Sequence, residues 1–395
     1  MKKIILIVID GLGDRPIKEL GEKTPLEAAK TSNLDSLAKD GISGLVLPWV
    51  KKGKLPTSED THLALFGFDP GKFNPGRGVL EVLGMGMKIL PGDICLRGNF
   101  ATVNPKNLKI IHRRAGRIEK TKDLIRAISG IEIENIKFLV EKGVSHRIGI
   151  IIRGKGLSPR ISDSDPKITG AKPLQVISLD KSKEAEFTAR VLNHFLAKAH
   201  LILKDQPSNK KRKLPANYIL VRGAGRYKEI ETFQKKNKMK ACCIAGGPLY
   251  KGIAKFLGMK LIKVKGANAL PSTSLGNKIR AVKGALKKND FLFLHVKAAD
   301  NLAEDGNFQG KKEFIEKIDK NLKPLLNLKN TLIVITADHS TCSDLKRHCL
   351  EPVPILIYGD GRDSIEKFSE KSCRKGKIGR IEQKNLIKEI LRYAK

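Results

Sequence analysis

Asp338 and His339 are adjacent and His348 follows, so one carboxylate and two imidazoles fall within eleven residues. Such a group can ligate a divalent cation. Asp10 and Asp300 are distant in sequence but share a context with Asp338, because each follows a short apolar run. Ile4 to Ile9 runs into Asp10. Phe291 to Val296 leads through Lys297-Ala298-Ala299 to Asp300, and Leu332 to Ile335 leads through Thr336-Ala337 to Asp338. One Asp at a strand end is more often a turn or helix cap. Three of them beside two clustered histidines point to mixed oxygen and nitrogen ligation, suited to Mn²⁺, Zn²⁺ or Mg²⁺, and to two ions rather than one.

A nucleophile is the other requirement. Ser58 opens a helical stretch, Ser58-Glu59-Asp60-Thr61-His62-Leu63. Two readings stand side by side. Ser58 is an N-cap, with Glu59 and Asp60 favoured in the first turn, or it is a metal-activated alkoxide at a helix N-terminus that also attracts phosphate. His62 either contacts the site or serves the local backbone, and the structural role is favoured.

The elements that position these residues follow from periodicity. Short apolar runs alternate with helix-like stretches, the pattern of an α/β protein with a mostly parallel sheet. In such sheets ligands bind beyond the carboxyl ends of the strands, so three distant carboxylates can converge. From about Gly98 to Lys235 the alternation is less regular and loop signals such as Ser162-Asp163-Ser164-Asp165-Pro166 appear. The expected division is a discontinuous core of residues 1–97 and 236–395, with a smaller α+β domain of residues 98–235 inserted between.

Composition narrows the classes. The 395 residues are 41% hydrophobic and 30% charged, which is globular composition. No apolar run approaches a membrane span. The start, MKKIILIVIDGLGD, reads as a buried strand rather than a signal peptide, since it breaks at Asp10-Gly11 without a small-residue cleavage site. Six cysteines, with Cys242-Cys243 adjacent, do not make a disulfide scaffold and suit a reducing, cytoplasmic setting; Cys342 reads as a small packing residue. The net charge is +35, but Lys and Arg are spread along the chain and aromatic residues are only 5%, so a nucleic-acid partner is not favoured. A field that attracts small anions is the simpler account.

These residues resemble the archaeal-type 2,3-bisphosphoglycerate-independent phosphoglycerate mutases of the alkaline phosphatase superfamily. The resemblance runs over nearly the whole chain. It is carried by Asp10-Gly11-Leu12-Gly13-Asp14-Arg15-Pro16, Thr24 to Ala29, Ser58 with His62, Leu63 to Pro70, Gly76-Arg77-Gly78 with Glu81, and Asn99 to Val103. Arg113 to Arg117, His146-Arg147, Ser162 to Pro166, Asn217, Arg222 to Gly225, Ala337 to Thr341 and Lys346-Arg347-His348 complete it. The resemblance implies an alkaline-phosphatase-like core and interconversion of 3-phosphoglycerate and 2-phosphoglycerate without bisphosphoglycerate. It implies Ser58 as the nucleophile that forms a phosphoserine, and a lid that closes over the substrate. Asp10, Ser58, Asp338 and His339 would hold one ion and Asp300 and His348 the other, with Mn²⁺ first and Mg²⁺, Co²⁺ or Zn²⁺ as alternatives. The substrate carries a phosphate and a carboxylate, so Arg114, Arg117, His146, Arg147, Arg160 and Arg222 are the candidate binders.

Three departures from the family pattern stand out. Glu304 occupies the place of an expected histidine ligand and is read as ligating through a carboxylate oxygen. Glu59-Asp60-Thr61 lies where Asp and small residues are usual, and Ser272-Thr273 where an acidic residue is expected. The alternatives are a phosphatase or other phosphomutase on the same scaffold, and a catalytically impaired homologue that binds polyanions.

Overall fold

The computed structural model describes residues 1–395. In chain order its strands are β1 (Lys3–Ile9), β2 (Gly41–Leu47), β3 (Ile94–Val103), β4 (Ile110–His112), β5 (Ile131–Ile133), β6 (Ile136–Lys142), β7 (Arg147–Arg153) and β8 (Tyr218–Arg226). They continue with β9 (Ala241–Ile244), β10 (Lys260–Leu261), β11 (Phe291–Val296), β12 (Thr331–Thr336), β13 (Ser340–Cys342), β14 (Arg347–Cys349), β15 (Val353–Tyr358) and β16 (Gly379–Glu382). The chain divides into two units: residues 1–74, 230–247 and 253–395, and residues 75–229 with 248–252. No helix is long and apolar enough to cross a membrane.

The first unit is built on an eight-stranded sheet ordered β10-β9-β11-β1-β12-β15-β2-β16. β1 is parallel to β11 on one side and β12 on the other, and β15 alone runs against its neighbours. The sheet is therefore mixed, with the parallel direction dominant as the sequence pattern predicts. Ile4 to Ile9, Phe291 to Leu294 and Leu332 to Ile335 are all essentially inaccessible to water. Strands covered on both faces read as continuous apolar runs, which is why these three stand out in the sequence.

The second unit carries an antiparallel sheet in which β3 is flanked by β7 and β8, with β6 and β5 beyond β7 and β4 on the far end of β3. Helix Lys183–Asp205, capped by Ser182 Oγ accepting from Ala185 N, covers it and stacks Phe195 on Phe138 at 4.2 Å between ring centroids. Residues 75–97, assigned by the sequence division to the core, belong to this unit, because helix Arg77–Met85 lies against β3 closely enough that a Cβ on Gly78 would meet the Cys95 carbonyl at 2.3 Å.

One cysteine expectation is corrected. Cys342 is not an isolated packing residue: it forms a disulfide with Cys349 across the β13–β14 hairpin. Their spacing of seven residues gives no sequence signal of pairing; the turn between the two short strands creates the proximity. The other four cysteines form no disulfide and are buried.

Candidate metal centre and anion-binding cavity

The first unit gathers its chemistry where three adjacent strands end. Register pairs Ile9 with Val296 and Val8 with Thr336, so the chain leaves β1, β11 and β12 at one level. Asp10 leaves β1, Asp338 and His339 leave β12, and Asp300 lies in the first turn of helix Ala298–Glu304 after β11. All four are fully buried. Gly11 makes the crowding possible: its φ is +66°, and a Cβ there would sit 2.6 Å from Thr341 Oγ1 and 2.7 Å from Asp300 Cβ.

His339 is central. Its Nε2 lies 3.1 Å from Asp338 Oδ2, 3.8 Å from Asp10 Oδ1 and 3.4 Å from Ser58 Oγ, and its ring stacks on that of His348 at 3.7 Å. His348 comes from β14, donates from Nδ1 to the Pro56 carbonyl at 2.7 Å, and turns Nε2 to Asp300 Oδ1 at 3.4 Å. Thr341 Oγ1 donates to Asp300 at 2.6 Å. Glu304 stands 3.8 Å from His348, at the exposed rim of the group.

Ser58 is not an N-cap. Thr57 holds that position, its hydroxyl accepting from Asp60 N, and Ser58 is the first helical residue, 3% exposed. The hydroxyl is thus released from capping and points to His339. His62, one turn on, is buried, donates from Nδ1 to the Ser58 carbonyl at 2.7 Å and lies 3.3 Å from Asp338 Oδ2, so it serves both backbone and site.

The electrostatics suit a cation. Burial alone would raise Asp300 and Asp338, yet Lys297 and His348 hold Asp300 well below the usual carboxylate range, and His339 and His62 do the same for Asp338. Burial and Asp338 push the Asp10 carboxyl up, while Lys297 and the His295 hydrogen bond at 3.0 Å bring it net downward. Burial would depress His339, but Asp338 lifts it to about 9. Lost hydration, then the Asp300 charge, raises Glu304. Three carboxylates are therefore kept ionised in the interior beside imidazoles. Asp10, Asp338 and His339 form one set of donor atoms within 4.8 Å of one another, and Asp300, His339 and His348 form another. Ionised oxygen and nitrogen donors packed this densely fit divalent cations.

Behind the ligands, a buried ion pair ties the loops together. Lys311 Nζ donates to Asp14 Oδ2 at 2.9 Å and to the carbonyls of Gly13 and Thr341, each at 3.0 Å. All three ammonium hydrogens are thereby used, which a buried charge requires.

The second unit holds a cavity of about 250 Å³ lined by Arg97, Asn99, Arg113, Arg114, His146, Arg147, Lys167 and Arg222. Few carboxylates offset them. Asp165 takes Arg113 in a two-pronged contact at 2.8 and 3.0 Å and Arg222 at 3.3 Å. Glu81 takes Arg97 at 3.2 Å and Arg77 at 3.1 Å; burial would raise it, but these arginines hold it at about 2. Burial, then Arg147 and Arg114, push His146 down to about 3, so it is neutral. Neither ring nitrogen of His146 nor Asn99 Oδ1 has a partner within the chain. Buried polar atoms aimed at a basic cavity are the donors and acceptors an anionic ligand would meet.

The Metalloenzyme superfamily pattern matches residues 2–391. The 2,3-bisphosphoglycerate-independent phosphoglycerate mutase 1 of Archaeoglobus fulgidus is 42% identical, with 99% of this chain and 98% of that protein aligned. The chain belongs to the 2,3-bisphosphoglycerate-independent phosphoglycerate mutase family. The Thermoplasma volcanium mutase is 40% identical over 100% of this chain and 97% of its own. Among solved structures, the cofactor-independent phosphoglycerate mutase of Thermoplasma acidophilum matches with a TM-score of 0.70 at 36% identity, each chain covered in full. A Pyrococcus horikoshii protein matches with a TM-score of 0.85 at 32% identity, over 100% of this chain and 97% of that one.

Seen as a mutase-family site, the arrangement unites Asp10, Ser58, Asp300, Asp338, His339 and His348 and leaves Glu304 at the edge. Of the substrate candidates, Arg114, His146, Arg147 and Arg222 line the cavity, whereas Arg117 and Arg160 are exposed and do not. Sequence reasoning did not single out Arg97, Asn99, Arg113 or Lys167 for it. It also missed Lys297, which bridges Asp10 at 3.2 Å and Asp300, and His295 behind Asp10. For Lys297 a signal existed, since it precedes Asp300 by three residues at the start of a helix.

Proposed function

We infer that this chain is an enzyme that interconverts 3-phosphoglycerate and 2-phosphoglycerate without bisphosphoglycerate, passing the phosphoryl group through Ser58. Family membership supports the activity. The observation that carries the route is the Ser58 hydroxyl, freed from capping by Thr57 and set 3.4 Å from His339 beside the buried carboxylates.

Asp10, Ser58, Asp338 and His339 would hold one divalent cation and Asp300, Glu304 and His348 a second, with Mn²⁺ the first choice because oxygen donors predominate. Such ions, when bound, lower the pKa of a hydroxyl and offset charge on phosphoryl oxygens. Ser58 Oγ attacks phosphorus, the bond to the 3-oxygen breaks, and Ser58 carries the phosphoryl group. The 2-hydroxyl of the same glycerate then attacks phosphorus and the bond to Oγ breaks. One P–O bond forms for each one lost, the proton given up by Ser58 is matched by the one it regains, and no water is consumed. Burial of Ser58 protects the phosphoserine, because water in place of the glycerate hydroxyl would make the enzyme a phosphatase.

The arginine cavity fits the phosphate and carboxylate of the substrate. Arg114, Arg147 and Arg222 supply planar donor forks, with Arg97 and Arg113 beside them, and neutral His146 and Asn99 add hydrogen bonds. A cytoplasmic setting goes with such a substrate.

The test is conversion of 3-phosphoglycerate in a coupled enolase assay, using metal-stripped protein, single metals restored and no bisphosphoglycerate. We expect turnover that returns with Mn²⁺ and falls at least about 10³-fold in Ser58→Ala, a loss of about 4 kcal/mol in transition-state stabilisation. Free phosphate in place of 2-phosphoglycerate would shift the assignment to a phosphatase. Turnover unchanged in Ser58→Ala would remove Ser58 from the route.

A further inference from the structure

The disulfide sits where it can matter to the centre. Cys342 ends β13, Cys349 ends β14, and His348 pairs with Thr341 across the same hairpin. The hairpin has only three residue pairs, and a two-stranded ribbon of that size holds itself together poorly. Around His348 the chain has little apolar anchorage: Arg347 and Leu350 are exposed, and of residues 347–350 only Cys349 is buried. Beyond the ladder, the non-covalent restraints on this strand include the Pro56 carbonyl taking His348 Nδ1, the stacking of His348 on His339 at 3.7 Å with Nε2 beside Asp300 Oδ1 at 3.4 Å, the Ser340 hydroxyl donating to Glu351 O at 2.9 Å, and an Arg15–Glu351 ion pair. Cys349 adds a covalent bond one residue from the imidazole.

We propose that Cys342–Cys349 is a thiol–disulfide site that clamps His348, so that its redox state sets how tightly that side of the centre holds a divalent cation. The proposal rests on the metal reading given above. Reduction by a dithiol breaks one S–S bond, forms two S–H groups and leaves the reductant as its own disulfide. Cys342 is wholly buried and Cys349 is 3% exposed, so the reductant enters by local opening at the exposed tip, residues 344–347. The bridged residues are seven apart, and closing so short a loop removes less chain entropy than closing a long one. The effect of the bond is therefore concentrated at His348 rather than spread over global stability.

The experiment begins with a thiol count on denatured protein purified without reductant. Four reactive thiols are expected, six after reduction; six at the outset overturns the proposal. Metal-stripped oxidised protein, dithiothreitol-reduced protein and the Cys342→Ser/Cys349→Ser variant are then titrated with Co²⁺ and followed by its visible absorption. The variant supplies the opened hairpin without thiols, which together with Glu351 could themselves take cobalt. We expect one cobalt equivalent to bind on the order of 10- to 100-fold more weakly in both opened forms, the other to be unchanged, and the melting temperature to move by only a few degrees. Equal affinities in all three forms overturn the clamp alone. No cobalt binding by the oxidised protein overturns the metal reading and the clamp together. Should the double variant fail to fold, Cys342→Ser alone takes its place, because it opens the bridge and breaks up the donor groups that Cys342 forms with Cys349 and Glu351 and with Asp14 and Asp344.

Discussion

Ser58 shows how one neighbouring residue decides between two roles. Both roles fit its sequence context, and only the assignment of the cap to Thr57 separates them, which is a matter of where the first helical φ and ψ fall. Glu304 is one of the three places where the sequence reads as departing from the family pattern, and it carries a prediction. Its carboxylate stands 3.8 Å from His348 at the exposed rim, so it offers an oxygen donor where the sequence resemblance leads one to expect a histidine nitrogen. Glu304→His is expected to move metal preference from Mn²⁺ towards Zn²⁺ and Co²⁺ by roughly tenfold or more, read as the ratio of affinities in competition titrations. An unchanged ratio would mean that Glu304 is not a ligand. The arginines were the least legible residues. Arg117 and Arg160 cannot be told from Arg97 and Arg113 by type or local context in a chain with 76 Lys and Arg. What sorts them is the fold of the second unit, with Arg97 on β3, Arg147 on β7 and Arg222 on β8 directed into one cavity.

At the scale of elements, three buried strands were readable because water is excluded from both of their faces, leaving apolar runs whose ends are marked by Asp10, Asp300 and Asp338. The β13–β14 hairpin was not readable: its strands are three residues long, too short for a period to show, and its disulfide went unseen with it. Glu370 is another product of packing between distant segments. It is buried and accepts from Asp14 N at 3.3 Å and from the Thr24 hydroxyl at 2.8 Å, and burial raises its carboxyl to about 7 from an ordinary 4.5. Between these two values the folded chain binds the proton that the unfolded chain has released, so stability falls as pH rises from about 4.5 to about 7 and is level above. The loss is at most about 3 kcal/mol. Glu370→Gln is expected to flatten that slope and to be the more stable form at pH 8 but not at pH 4.5, as measured by urea unfolding. Parallel pH profiles for the two proteins would mean that Glu370 ionises normally in the folded state.

At the scale of the whole molecule, a net charge of +35 surrounds an activity whose substrate is a small anion. Long-range attraction raises encounter rates and is screened over roughly 10 Å at 0.1 M salt. Raising NaCl from about 20 to 300 mM is expected to lower kcat/KM several-fold while leaving kcat within about twofold, because bound substrate no longer depends on the distant field. A fall confined to kcat would contradict this and point to salt acting on the chemistry. Finally, the strand order that sets Asp10 between Asp300 and Asp338 has a consequence for synthesis. The ribosome makes Asp10 first and His348 some 338 residues later, an interval of roughly 20 to 70 s at about 5–20 residues per second. The stretch 75–229 is complete well before then, whereas Ile4 to Ile9 must wait as an unpaired, wholly apolar segment until both of its flanking strands have emerged. The centre is thus among the last features of the nascent chain to assemble, and its first strand is the part most in need of shelter from a chaperone.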